Sequence, residues 1–245
     1  PIEGNCPDIR EIVDAIRKDL SFTEQLIVST HYVQEPLSRK QLKMWHAQGY
    51  PLVLCVSSDA HNIDWRLYDT RQEIMLKGQR VHKICKIVRG WAHATADMVM
   101  QFLTGKKGFF STKIAYCKEI KNGTKKKIRH IYIADYDGGH EQVLVDTPAL
   151  NIAPRWNRDR AEPLLFYSEC TPLNIRLMVS SMNKKRTVAS DFDGLNMLPS
   201  FSCDGKRVIL CLSRDGSSQI YRYEEPTFFK KARLIRLTHN EGNNV

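Results

Sequence analysis

The residues best equipped for chemistry in this sequence are an imidazole between carboxylates, a second His/Asp pair and a set of cysteines. Asp59, His61 and Asp64 lie close together and offer the donor types of a divalent metal site. The competing reading is a polar loop between two strands, in which an Asp side chain closes the turn; the sequence favours that loop. His93 and Asp97 fall one helical turn apart, the spacing of a base and its orienting carboxylate but equally of a surface hydrogen bond. The hydrogen bond is the expectation here. His31 and His82 sit in strand-like runs and read as structural. Seven cysteines, at 6, 55, 85, 117, 170, 203 and 211, include no CxxC pair, and their odd number leaves at least one free or paired between chains. Cys55 in PLVLCVSS and Cys211 in VILCLS sit in apolar runs, as buried inert thiols do. GxSxG, HExxH, a P-loop and the Rossmann glycine fingerprint are all missing from the sequence. The expectation is therefore no enzyme, no catalytic residue, no metal and no cofactor.

Charge adds little to that. Lys and Arg number 37 against 27 Asp and Glu, a formal net charge of +10. The densest basic run is KNGTKKKIRH, from Lys121 to His130, where Asn122-Gly123 reads as a hairpin turn with basic flanks. Without a groove-reading motif, net charge alone does not identify a nucleic-acid binder, and no nucleic-acid partner is expected. No apolar run approaches the roughly 20 residues of a membrane span. With 245 residues, 42% hydrophobic and 26% charged, the chain has globular composition and room for one large or two modest domains. It begins at Pro1, as it would if an upstream segment had been removed by processing or by cloning.

The elements that must position any site change in character along the chain. Through residue 106 helix and strand patterns alternate. Asp8 and Glu11 suit a capping box, followed by Ile9, Ile12, Val13, Ile16 and Leu20 at helical spacing. QLIVSTHYV, from Gln25, is strand-like. Ser38 and Gln41 form a second capping box, with Leu42 and Trp45 as anchors and Gly49 as terminator. PLVLCVSS reads as a strand covered on both faces. Strands are expected at Ile63–Asp69, Glu73–Lys77 and Val81–Val88, then a helix over Trp91–Leu103 with Ala92, Ala96, Val99 and Leu103 on one side and Gly105 closing it. The expectation is a small α/β domain with a mixed sheet over residues 1–106. From 107 to 245, after the GKKGFF connector, short strands alternate with Gly, Asp, Asn and Pro turns and no long helix is expected.

That second part repeats. Placing Pro154 on Pro199 sets Trp156 on Phe201, Asp159 on Asp204, Leu165 on Leu210, Ser168 on Ser213 and Ile175 on Ile220, and brings Leu150-Asn151 onto Leu195-Asn196. A period of about 40–50 residues with four short strands is the signature of a propeller blade. The best copy has strand a at Leu198–Ser202, b at Arg207–Leu212, c at Gln219–Tyr223 and d at Leu234–Thr238. SCDG at 202–205 and RDG at 214–216 supply the turns. A weaker copy before both has KIAYCKEI, HIYIADYDG and QVLVD as strands b, c and d, and no strand a of its own.

These motifs resemble those of the TolB family. LPSFSCDGKRVILCLSRDGSSQIYRYE, ending in RLIRLTHNEG, is similar to its propeller repeat, with Cys203 at a usual proline; APRWNRDRAEPLLFYSE has lost the glycine. WAHATADMVMQFLTGKKGFFSTKIAYC resembles the family's helix-to-propeller junction. The resemblance implies a non-enzymatic periplasmic adaptor of the Tol–Pal envelope system. It would act in outer-membrane integrity and in constriction at cell division, and would bind the peptidoglycan-associated lipoprotein Pal. It also implies a six-bladed propeller, of which about three blades are visible, so the chain is expected to be part of a longer protein. PIEGNC does not match the family's TolA-contacting segment. Pal would dock where strand a begins at the channel mouth, at Asn151, Ile152 and Ala153, at Leu195, Asn196, Met197 and Leu198, and at Asn244 and Val245; Leu195 stands where the family often has His. The alternative is the propeller of a prolyl-oligopeptidase-like serine peptidase, whose hydrolase domain these residues do not supply.

Overall fold

The computed structural model describes residues 8–31, 37–59, 61–82, 88–121, 128–157, 163–204, 207–224 and 233–244. The Asn122-Gly123 hairpin, Gly205 of the a–b turn, Asp159, Cys6, Cys85 and Val245 lie outside the described residues. The chain divides into two compact units, Pro1–Thr112 and Lys113–Val245, and the GKKGFF stretch falls in the first.

Among the described residues the first unit carries three helices, α1 (Asp8–Phe22), α2 (Arg39–Ala47) and α3 (Val88–Thr104), and three strands, β1 (Leu52–Ser58), β2 (Asn62–Asp69) and β3 (Ile74–His82). Ile9, Ile12, Ile16 and Leu20 recur at helical spacing along α1 and are all buried. Each side chain of that size contributes about 1.5–3 kcal/mol on full burial. On α3, which packs against α1, the wholly buried Ala92 and Ala96 are small enough for close approach. Asp19 of α1 and His93 of α3 are buried and hydrogen-bonded at 2.7 Å. His93 is thus a helix-to-helix contact in the interior, not the surface partner of Asp97 that its spacing suggested. Helix α2 opens with the expected reciprocal cap, in which the Gln41 N–H donates to Ser38 Oγ at 3.3 Å and the Ser38 N–H donates to Gln41 Oε1 at 2.8 Å. It buries Leu42 and Trp45, and Gly49 follows it at φ +86°.

Strands β1, β2 and β3 pair in that order, antiparallel throughout. Four expectations change here. Glu73–Lys77 and Val81–Val88 are not separate strands. A single β3 runs from Ile74 to His82 because β2 offers it a partner along its length, and Val88 opens α3. The run from Gln25 to His31 is irregular, with Ile27 fully exposed. Alternating apolar residues supply a strand's side-chain pattern, but a strand also needs a hydrogen-bonding neighbour. No parallel strand therefore joins this sheet among the described residues, where a mixed sheet was expected. Lastly, β1 is terminal in the described sheet and buries only Cys55, so it is not the doubly covered strand its apolar run suggested.

The turn after α3 has a stereochemical cause. Asp97 accepts the N–H groups of Phe110 at 2.8 Å and Ser111 at 3.0 Å, folding the chain back along the helix. Gly105 takes φ +71°. A Cβ on Gly108 would lie 2.6 Å from the Asp97 Cα, so only glycine fits there, and Phe110 is then buried.

The second unit is three blades of a propeller. The first has β4 (Lys113–Ile120), β5 (Ile128–Asp135) and β6 (Gln142–Val145), in the roles of strands b, c and d. The second has β7 (Leu150–Trp156), β8 (Leu164–Cys170), β9 (Ile175–Ser181) and β10 (Arg186–Ser190) as strands a to d. The third repeats them as β11 (Asn196–Phe201), β12 (Arg207–Leu212), β13 (Gln219–Glu224) and β14 (Arg233–Arg236). Neighbours within each blade run antiparallel. Strand β8 serves two cores. Leu165 and Tyr167 pack with Ile131 and Ile133 of the first blade, while Phe166 packs with Leu210 and Tyr221 of the third. That double duty explains the unbroken burial from Leu165 to Glu169. Among the described residues no helix follows Thr112.

Candidate functional site

Each strand a begins at the end of its blade where the b–c turns also lie, since Asn151 pairs with Glu169 and Asn196 with Leu212. We call this end the mouth face. Its geometry is set by a joint that occurs twice at the repeat spacing. In the first, Leu150 pairs in parallel with Arg129 of the preceding blade, and the Arg129 N–H donates to Ala149 O at 3.1 Å. In the second, Leu195 pairs in parallel with Ile175, and the Ile175 N–H donates to Gly194 O at 3.0 Å. Each joint is locked by an asparagine. Asn151 Nδ2 donates to Arg129 O at 2.8 Å and to Thr147 Oγ1 at 2.9 Å. Asn196 Nδ2 donates to Ile175 O at 2.9 Å and to Phe192 O at 2.6 Å, and its Oδ1 accepts from Ser190 Oγ and the Phe192 N–H.

Both asparagines are wholly buried. That corrects the expectation that their side chains meet a partner: a buried amide finds its partners inside the protein, and here the Nδ2 donors join one blade to the next, while Asn151 Oδ1 is buried with no hydrogen-bond partner. At the third such position the Asn244 N–H donates to Ser218 O at 2.7 Å, and Asn244 O accepts from the Cys211 thiol at 3.3 Å. Burial pushes the pKa of that thiol up. Gln219, itself buried, fixes this turn by donating to Asn240 O at 3.0 Å and Gly242 O at 2.9 Å.

The other expected contact residues stay partly open. Ile152, Ala153, Leu195 and Met197 are half-buried and Leu198 is exposed. Ala153 and Leu198, equivalent in the two repeats, both have left-handed φ, +52° and +56°, directly before a proline. Each sits where strand a slips register against strand b, between Ile152 and Arg155 and between Met197 and Ser200. A non-glycine residue with positive φ costs energy, and a bulge redirects the side chains around it. The repeat therefore keeps the same kink in both copies of strand a.

The mouth face also carries a residue that sequence reasoning missed. Leu173, in the b–c turn of the second blade, is 94% exposed. Its one sequence signal was an apolar residue inside a turn, after Pro172. Beyond this face, the carboxylates around His61 are committed to structure. Asp59 Oδ1 accepts the His61 and Asn62 N–H groups, each at 2.7 Å. The Asn62 side chain and those two backbone donors hold the Asp59 pKa down at about 2. Asp64 takes two 2.8 Å bonds from Arg80, which lower its pKa as well. The arrangement is an Asx turn beside an ion pair. His31 is outside any strand and lies against Trp45 with ring centroids 4.7 Å apart, while His82 ends β3. The first unit also has a partly open, mainly apolar pocket of about 260 Å³ lined chiefly by α1, β1 and residues 26–31.

Residues 100–245 match the family model of the TolB beta propeller domain. The chain belongs to the TolB β-propeller family. The Tol-Pal system protein TolB of Rickettsia africae is 30% identical over 164 residues, 66% of this chain and 36% of that protein. The protein of the same name from Rickettsia prowazekii is 28% identical over 220 residues, 85% of this chain and 49% of that one. The chain thus spans no more than about half the length of these TolB relatives. The crystal structure of TolB from Acinetobacter baumannii superposes with a TM-score of 0.79 at 24% identity, over all of this chain and 60% of that one, and so shares its fold. Among the described residues no helix is long and apolar enough to cross a membrane.

Proposed function

We propose that this chain is a non-enzymatic adaptor of the Tol–Pal system, working in the periplasm and binding Pal at the mouth face of its blades. Through that contact it would serve outer-membrane integrity and constriction at cell division. The observation that carries the reading is the twice-built blade joint on a chain of the TolB family. It makes a preformed surface in which the side-chain amides of Asn151 and Asn196 hold one blade on the next, as suits a docking platform. The carboxylates nearest His61 are tied into a turn and an ion pair, which leaves that cluster no reactive role. A contact with TolA through the first residues is a separate matter, because residues 1–7 lie outside the described ones.

Calorimetric titration of the full chain with the soluble domain of Pal from the same organism tests the proposal. Saturable one-to-one binding is expected, with no turnover of a fluorogenic prolyl peptide by the same preparation. Absence of binding would sink the adaptor reading, and hydrolysis of the peptide would favour the peptidase alternative.

A further inference from the structure

Two phenylalanines of the first unit face outward side by side. Phe22, the last residue of α1, is 61% exposed, and Phe109, in the connector after α3, is 42% exposed. Their rings meet edge to face with centroids 6.0 Å apart. Scattered single apolar side chains are ordinary on a protein surface; rings that adjoin form a patch, and patches mark contacts.

The backbone holds both rings in place. The Phe109 carbonyl accepts from the Thr112 N–H at 2.9 Å and from the Thr112 hydroxyl at 2.6 Å. Phe110 is anchored through its N–H on Asp97 at 2.8 Å, and its buried ring lies with its centroid 4.8 Å from that of Phe109. The connector therefore sends one ring inward as a support and the other outward. On α1 the Thr23 hydroxyl donates to Leu20 O at 3.2 Å, and Glu24 takes φ +56°, which turns the chain off the helix and leaves Phe22 at its end.

Lysines rim the pair. Lys106 and Lys107 precede Phe109 in the same connector, and the Lys106 N–H donates to Thr104 Oγ1 at 3.2 Å. Lys18 lies one helical turn before Phe22, on the same side of α1. All three lysines are exposed. Several carboxylates of the two helices are committed elsewhere. Asp97 accepts the Phe110 and Ser111 N–H groups, Asp19 is buried on His93, and Asp14 lies 3.8 Å from Arg17. Glu24 sets one exposed negative charge against the lysines.

The cations decide the class of partner. Protein interfaces favour arginine and aromatic residues and are depleted in lysine. A bilayer surface accepts lysine readily, because the stem lies along the apolar boundary while the ammonium group reaches the lipid phosphates. Phenylalanine rings beneath such a rim enter the boundary between headgroups and acyl chains. We infer that Phe22 and Phe109, rimmed by Lys18, Lys106 and Lys107, form a peripheral attachment site for an anionic phospholipid surface. The contact is weak and reversible, and the net charge of +10 reinforces it at longer range. It requires no partner protein and is independent of the adaptor reading.

The test is co-sedimentation of the full chain with vesicles of phosphatidylcholine alone and of phosphatidylcholine mixed with phosphatidylglycerol. The parent is expected to sediment with the mixed vesicles only, and to be released as salt rises. Reversing the charge of the connector with Lys106→Glu and Lys107→Glu together should weaken binding about tenfold or more. Phe22→Ser and Phe109→Ser should each weaken it about fivefold. Leu173→Ser, which removes a lone exposed leucine from the second unit, should bind as the parent does. The lysine reversal alters only exposed side chains, so it decides the case even where Phe109→Ser is less stable than the parent. No sedimentation of the parent with the mixed vesicles would overturn the inference. So would equal binding to both kinds of vesicle, or unchanged binding after the lysine reversal. A loss in Leu173→Ser as large as in Phe109→Ser would show that any exposed apolar residue serves, and would overturn it as well. A parent that is dimeric by analytical ultracentrifugation and becomes monomeric in Phe109→Ser would make the patch a contact between copies of this chain, and would overturn the assignment to lipid.

Discussion

The Asn196 side-chain amide donates to the Ile175 carbonyl at 2.9 Å, joining strand a of one blade to strand c of the blade before it. Asn151 makes the same bond to Arg129 at 2.8 Å. The blade-to-blade cores are apolar, and apolar burial is non-directional, so it does not by itself fix how far one blade slides along the next. A directional bond from a buried amide does. Replacing Asn196 with Ala deletes four hydrogen bonds and strands their partners in a buried site. We expect Asn196→Ala to lose about 2–4 kcal/mol of stability, read as a lower urea midpoint at unchanged slope. A loss within about 0.5 kcal/mol, the range of ordinary surface substitutions, would mean that the joint is held by packing alone.

Gly108 makes the companion case in the first unit. Its Cβ would collide with the Asp97 Cα at 2.6 Å, a backbone atom that no side-chain rotation can withdraw. Gly108→Ala should therefore cost about 1–3 kcal/mol, the scale of an overpacked site. Adding Asp97→Ala should fail to restore the loss, because the offending atom remains and the Phe110 and Ser111 N–H groups also lose their acceptor. Thermal unfolding of the single and double variants decides it. Recovery in the double variant would show that the clash is with the Asp97 side chain only.

The features that could be read from the sequence are those whose causes are local. The cap of α2 needs only Ser38 and Gln41, and both bonds formed where expected. The repeat spacing likewise placed the blades, because each is a self-contained run of strands. What could not be read depends on distant residues. Asn151 and Asn196 looked like loop residues from their place three before a proline, yet their burial is set by carbonyls about twenty residues earlier in the chain. The strand expected at Gln25 failed for the opposite reason: Leu26, Ile27 and Val28 carry the pattern, but no neighbouring strand answers it among the described residues. Leu173 went unnoticed because the b–c turns differ in length between the two clear blades, so no repeat partner pointed to it.

The loop between β1 and β2 gives a pH-dependent prediction. Asp59 is fully exposed, and its pKa is held at about 2 by the Asn62 side chain and the His61 and Asn62 N–H groups, against 3.8 for the free side chain. A carboxyl with a depressed folded-state pKa contributes stability above its unfolded value and loses it as the pH falls through the folded one. The window here runs from about pH 3.8 down to about 2, and Asp64 shifts in the same direction because of Arg80. At pH 3 a free Asp would be mostly protonated, whereas Asp59 should be only about a tenth protonated. The His61 and Asn62 amide resonances should therefore keep their neutral-pH positions at pH 3 in the native protein, and should be displaced at every pH in Asp59→Ala. Amide shifts that move with a midpoint near 3.8 would show that these bonds do not bias the carboxyl, and that the turn is held by the β1–β2 ladder instead.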